Sequence, residues 1–309
     1  MIGWMFPGQG SQRPRMAAGL ESCSELFAAA RGILDVDLAP MCTTADAATW
    51  PAELVQPALY ITSVGAARAL QARGLRPDAV LGHSLGEWAA LTAAGALAFE
   101  DALRVVAIRG AAMAAAARNN PGGMAAVMGL DPRKVGEICS DVEGVWVANH
   151  NSPSQVVVSG ADEALARAEA RCRTAGAIRI VRLEVAVPAH CPLMEAAARE
   201  VEAALRKVNV EKPACAFYSA VDGARHEDPI RVSELLVDAI TSPVRFVDTL
   251  VAMQEDGLAA LVEVGPSRVL CGLARRCIPG VATLAAATQA EADAVALADP
   301  IARSPLIHS

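Results

Sequence analysis

Apolar positions in this chain fall into short runs cut by glycine and proline, separated by longer stretches with helical spacing. Met1 to Phe6 is a short apolar run that stops at Pro7-Gly8-Gln9-Gly10-Ser11-Gln12, which predicts a buried strand leading into a glycine loop. An Ala-rich helix is expected from Leu20 to Leu34. A second is expected from Pro57 to Ala72, with Gly74 as its stop. Ala79-Val80-Leu81 then runs through Gly82-His83-Ser84-Leu85-Gly86 into a long Ala-rich helix from Glu87. This segment reads as strand, tight turn and helix.

From Gly122 to Val187 the texture changes. The pattern predicts strand Met124 to Leu130, helix Pro132 to Val142, strand Val145 to Asn149, strand Gln155 to Ser159, helix Asp162 to Ala175 and strand Ile178 to Val185. This βαββαβ order is the ferredoxin-like arrangement. Pro121-Gly122-Gly123 marks its entry and Asn151-Ser152-Pro153 turns between its central strands. An amphipathic helix at Met194 to Val208, a strand at Ala259 to Val264 and a helix from Ser267 return to the first texture. The expected organisation is an α/β core of residues 1–120 and 189–309 interrupted by a ferredoxin-like subdomain at 121–188. The last twenty residues read as a loosely held tail.

With 309 residues and 53% hydrophobic content, the chain can fill a sizeable core. The apolar stretch Trp88 to Phe99 is too short to cross a bilayer, and Arg109 breaks the next one, so no membrane span is expected. Met1 to Phe6 lacks the basic start and long apolar run of a secretory signal, so a cytoplasmic location is expected. Eight cysteines without a Cys-x-x-Cys pair read as buried, reduced thiols, with no metal site expected. The net charge of -7 argues against a nucleic-acid partner. An acidic partner would need a local basic patch, for which Arg206, Lys207, Arg275 and Arg276 are candidates.

Gly82-His83-Ser84-Leu85-Gly86 has the form of a nucleophile elbow, in which glycines flank a serine because a strand reverses into a helix with no room for a Cβ. Ser84 would stand at a helix N-terminus, where backbone N–H groups favour negative charge on an attacked carbonyl oxygen. Five histidines could supply its base: His83, His150, His190, His226 and His308. His190 is the best placed, where the insert returns to the core. His83, adjacent to the nucleophile, is expected to point elsewhere on the turn, and the other three to be solvated or packed.

Several blocks together resemble the malonyl-CoA:acyl carrier protein transacylases, including the stand-alone acyltransferases of polyketide synthases. They are Phe6-Pro7-Gly8-Gln9-Gly10-Ser11-Gln12, Gln56-Pro57-Ala58, Gly82-His83-Ser84-Leu85-Gly86-Glu87, Arg109-Gly110, Asn151-Ser152-Pro153-Ser154-Gln155, Val187-Pro188-Ala189-His190-Cys191 and Val264-Gly265-Pro266-Ser267. The order matches the family's over nearly the whole chain. The resemblance implies an α/β-hydrolase-like core with a parallel sheet, Ser84 as the acylated nucleophile, and His190 as a base oriented by backbone carbonyls. It also implies an oxyanion hole from the N–H groups of Gln9 and Leu85. Arg109 would hold the free carboxylate of a malonyl group, with Gln56 and His83 lining the pocket. An ion pair on the helix is the other reading of Arg109, but an Arg inside an apolar run is awkward without an anion.

The implied activity moves a malonyl-type group from malonyl-CoA to the phosphopantetheine thiol of an acyl carrier protein, with coenzyme A thioester as substrate and no cofactor. Four positions depart from the family: Ala189 where malonyl-specific polyketide acyltransferases usually carry Phe, Ala114 where many relatives have Gln, His150 in place of an aromatic residue, and Ser242 where some have Asn. Ala189 would open the pocket to a substituent on the malonyl α-carbon. An editing acyl hydrolase and a non-catalytic carrier-binding subunit are the rival readings. Arg109 opposes the first, and an intact Ser84 and His190 the second.

Overall fold

The computed structural model describes residues 1–44, 50–185 and 187–298. Its larger sheet is built from β1 (Ile2–Phe6), β2 (Ala79–Gly82), β7 (Ala216–Tyr218), β8 (Arg225–His226), β9 (Ala260–Val264) and β10 (Ala282–Ala286), in the order β10-β9-β1-β2-β7-β8. All neighbours pair in parallel except β8, which turns back antiparallel at the β7 edge. Every residue of β1, β2 and β9 is buried, as a parallel sheet covered on both faces requires. Alternate side chains serve opposite layers. Trp4, Phe6 and Val80 join the core formed with α1 (Cys23–Leu34), α3 (Ala52–Gln71), α4 (Gly86–Ala93) and α5 (Phe99–Asn119). Met5, Leu81 and Leu261 instead pack toward α10 (Phe246–Glu255) and α11 (Val269–Cys277).

The smaller sheet contains β3 (Gly122–Met128), β4 (Val145–Ser152), β5 (Gln155–Ala161) and β6 (Arg179–Arg182) in the order β4-β5-β3-β6, all antiparallel. With α6 (Pro132–Ser140) and α7 (Asp162–Thr174) this is the expected βαββαβ unit. Ala125, Val127, Val156 and Val158 face its own two helices, whereas Met124, Ala126 and Val157 join the main core. The unit is also stitched to the core by backbone: His150 N donates to Val244 O and Val244 N to Ala148 O, both at 2.8 Å. That junction lies beside Ser242.

Several sequence expectations shift. The helix from Glu87 is short, because Gly95 at φ +73° ends it and α5 starts afresh at Phe99. The helix expected from Pro57 begins instead at Ala52, with Pro57 inside it. Pro57 has no N–H for the Glu53 carbonyl, and that carbonyl lies 2.8 Å from where a Cβ would sit on Gly110, so α5 packs closely there. β6 covers only part of the strand expected to reach Val185. The tail is not loose throughout: α12 (Gln289–Ala296) buries Ala292 and Val295, while residues 299–309, with His308, lie outside the described residues. Also unforeseen are β7, β8, β10, α2 (Ala39–Thr43), α9 (Pro229–Asp238) and α10. The amphipathic helix after the insert is α8 (Glu195–Leu205).

Candidate active site

The register of β1 and β2 sets Phe6 beside Gly82, so the loops leaving the carboxyl ends of these two strands lie side by side. His83 N donates to Phe6 O at 2.9 Å and closes the two loops together. A Cβ on Gly86 would stand 1.9 Å from Phe6 O, and one on Gly82 1.9 Å from Glu87 N. Neither contact is possible for a side chain, which explains the glycines on both sides of the elbow.

Among the described residues four non-glycine positions take positive φ, and two of them are Ser84 at +56° and His190 at +62°. Such backbone costs about 1–3 kcal/mol and persists where its surroundings impose it. Ser84, His190, Gln9, His83, Arg109 and Ala189 all line one cavity of about 260 Å³. β3 and β5 contribute Met124, Ala126 and Val157 to its wall, and α11 contributes Val269, Leu270 and Leu273.

His190 is 4% exposed, and its Nδ1 lies 2.8 Å from Ala239 O and 3.2 Å from Ser242 O. Carbonyl oxygens only accept, so Nδ1 carries the proton and Nε2 keeps its lone pair. Burial first, and then the Arg109 charge, push His190 down to about 3, so its imidazole is neutral at ordinary pH. Two carbonyls thus orient the ring, as the resemblance implied. Ser242 takes part through its backbone, so the departure at that side chain leaves the contact in place.

Arg109, 1% exposed on α5, is turned inward. Its Nη1 donates to Gln56 Oε1 at 2.6 Å and its Nη2 to Ser84 Oγ at 3.0 Å, while its buried Nε has no partner. Gln56 Nε2 in turn donates to Gln9 Oε1 at 3.2 Å, tying the β1 loop to the same network. Burial lowers Arg109 to about 10, which leaves it charged. Among the described residues it forms no ion pair, so the helix ion-pair reading fails.

The other expected residues also sort clearly. His83 Nε2 meets Asn151 Oδ1 at 2.9 Å, and burial lowers its basicity. It therefore reaches from the cavity wall toward the smaller sheet. The N–H groups of Gln9 and Leu85 donate to no acceptor among the described residues, and Leu85 caps the start of α4. His226 pairs with Asp222 at 3.0 Å, and half-buried His150 belongs to β4; neither lines the cavity. Arg275 and Arg276 end α11, the helix that lines the cavity, while Arg206 and Lys207 follow α8 and do not line it.

Sequence reasoning missed Glu87. It is 1% exposed, and its Oε1 accepts from Ser219 Oγ at 2.9 Å and Ala220 N at 2.7 Å, while Oε2 is buried without a partner. Burial raises it to about 7. A glutamate in the first turn of a helix is ordinary on a sequence, and only the acceptor arrangement across to the end of β7 marks this one. No group of three His, Cys, Asp or Glu side chains among the described residues could hold a metal ion. No helix among them is long and apolar enough to cross a membrane.

Comparison with known proteins agrees with this arrangement. Residues 3–292 match the acyl transferase domain family. The malonyl CoA-acyl carrier protein transacylase of Haemophilus influenzae is 38% identical over 287 residues, covering 89% of this chain and 91% of the relative. The solved malonyl CoA-acyl carrier protein transacylase of Coxiella burnetii superposes with a TM-score of 0.92 at 34% identity, over 95% of this chain and 96% of that one. A malonyl-transacylase solved in complex with its type II polyketide synthase acyl-carrier protein superposes at 0.89 and 34% identity, over 94% and 97% of the two chains. An elbow serine, a carbonyl-held histidine and an inward-turned arginine in one cavity thus accompany likeness over almost the full length, and the chain belongs to the acyl transferase domain family, among the malonyl CoA-acyl carrier protein transacylases.

Proposed function

We propose that this protein moves a malonyl-type acyl group from coenzyme A to the phosphopantetheine thiol of an acyl carrier protein through an ester on Ser84. The observation that carries this reading is the buried Arg109 fork, without an anionic partner among the described residues, 3.0 Å from the serine hydroxyl. A malonyl carboxylate entering a closed pocket loses hydration, which a fixed guanidinium replaces with paired hydrogen bonds. The names of the relatives support both donor and acceptor.

In the first half-reaction His190 Nε2 takes the Ser84 proton as Oγ attacks the thioester carbonyl. The oxyanion sits between the N–H groups of Gln9 and Leu85. The C–S bond then breaks, and CoA leaves with the proton from His190 as a thiol. The carrier thiol runs the same steps in reverse. Ester and thioester exchange needs no cofactor beyond the substrate, and the same reading puts the protein in the cytoplasm. Gln56 orients Arg109, His83 closes the pocket toward the smaller sheet, and Ala189 leaves space beside the base for a substituted malonyl group. In this reading residues 1–120 and 189–309 form the chemical core, and residues 121–188 the subdomain that walls the cleft.

The test is to mix the pure protein with malonyl-CoA and a holo carrier protein and follow the acyl group. Malonyl-carrier protein is the expected product. Free malonate formed at the same rate without loaded carrier would mean a hydrolase, and neither product a binding module.

A further inference from the structure

Arg109 already has partners within the cavity. Its Nη2 donates to Ser84 Oγ at 3.0 Å and its Nη1 to Gln56 Oε1 at 2.6 Å, while the buried Nε–H meets no acceptor among the described residues. Among the described residues Ser84 Oγ has no hydrogen bond to His190, whose Nδ1 side is spent on two backbone carbonyls. The guanidinium therefore engages a lone pair of the oxygen that must attack, and draws that oxygen to its own side of the cavity.

We infer that Arg109 is a latch on the nucleophile as well as a carboxylate receptor: the arriving carboxylate takes Nη2–H from Ser84 and so releases the hydroxyl for attack. This rests on the proposed reading of Arg109 as the carboxylate partner and extends it from affinity to reactivity. A guanidinium fork is geometrically satisfied by two carboxylate oxygens, and a charged acceptor outcompetes a neutral hydroxyl for the same N–H. A carboxylate beside Arg109 also offsets the positive charge that depresses His190, so base and nucleophile gain together. A thioester without a carboxylate is then refused twice. It leaves Arg109 buried without an anion, and it meets a serine still held by the latch.

The consequence is that carboxylate and acyl group need not belong to one molecule. Formate can fill the Arg109 fork while acetyl-CoA supplies the acyl group. Wild-type protein would be loaded by acetyl-CoA with increasing sodium formate, against sodium chloride at equal ionic strength, and the acetyl-Ser84 ester followed by intact mass. At formate concentrations that slow malonyl-CoA loading by competition, acetyl loading should rise several-fold. Arg109→Ala should load acetyl faster than wild type without formate, by roughly tenfold for the loss of one charge-assisted hydrogen bond. It should also ignore formate.

A neutral fluorophosphonate probe, which expels fluoride as Ser84 attacks phosphorus, reads the latch without a thioester and should label Arg109→Ala faster than wild type. Formate that competes with malonyl-CoA yet leaves acetyl loading flat or lower would overturn the latch, even if the Arg109 variant failed to fold. Slower fluorophosphonate labelling of that variant would also overturn it, because Arg109 would then be activating the serine. If malonyl-CoA does not acylate Ser84, or formate does not compete, the carboxylate reading falls and the latch falls with it.

Discussion

Glu87→Gln removes a charge from a place where the fold has almost no water to offer it. Glutamine keeps the oxygen that accepts from Ser219 and Ala220, so the substitution isolates the ionisation of the carboxyl group. The carboxyl lies at about 7 in the folded protein against an ordinary 4.5, so folding favours its protonated form. That contribution is complete below about pH 4.5 and is lost as pH rises toward 7. Each pH unit between the two values is worth about 1.4 kcal/mol. The stability of Glu87→Gln relative to wild type should therefore improve by about 2–3 kcal/mol between pH 5 and pH 8. Any fixed cost of the new amide hydrogens, which meet the partnerless side once held by Oε2, shifts both ends equally and cancels. Equilibrium urea unfolding of the two proteins across this range gives the difference directly. Parallel stability curves would show that Glu87 stays ionised in the fold, and the account of its burial would be wrong.

Gly86→Ala should destabilise the protein by at least about 3 kcal/mol in the same assay, since its Cβ would overlap Phe6 O at 1.9 Å between two fixed backbones. Arg109→Ala should slow acylation by malonyl-CoA by roughly a hundredfold or more, while acetyl-CoA acylation rises. Equal losses with both donors would make Arg109 merely structural. Charge reversal at Arg275 and Arg276, on the helix that lines the cavity, should slow loading of an acidic carrier protein several-fold and leave self-acylation by malonyl-CoA unchanged. The same reversal at Arg206 and Lys207 should matter less, and the opposite ranking would move the docking face to α8.

The site was legible wherever local sequence carries its own constraint. Glycines around Ser84 announce a turn that excludes Cβ atoms, and an arginine within an apolar run marks one that turns inward. The βαββαβ unit could be read from alternating strands and strong turn residues. What escaped depends on distant partners. Glu87 is unusual only because Ser219 and Ala220 come to it from the end of β7, and the resemblance implied carbonyls behind His190 without pointing to Ala239. β7 has too few residues to show a period, β10 is a run of mostly alanines, and α12 is a weakly apolar segment made helical by packing of Ala292 and Val295 on the core. The end of α4 was misread because alanines continue through Gly95, where the backbone turns.

The most direct test of the account is to find where the acyl group rests. Wild-type protein mixed with malonyl-CoA, quenched in acid and digested should yield one malonylated peptide, with the modification on the hydroxyl of Ser84. Ser84→Ala should fold with unchanged thermal stability and acquire no adduct, because an elbow hydroxyl contributes chemistry and little packing. A malonyl group found on Cys191 or elsewhere in wild type, or an undiminished adduct on Ser84→Ala, would contradict the assignment of the nucleophile and with it the proposed reaction.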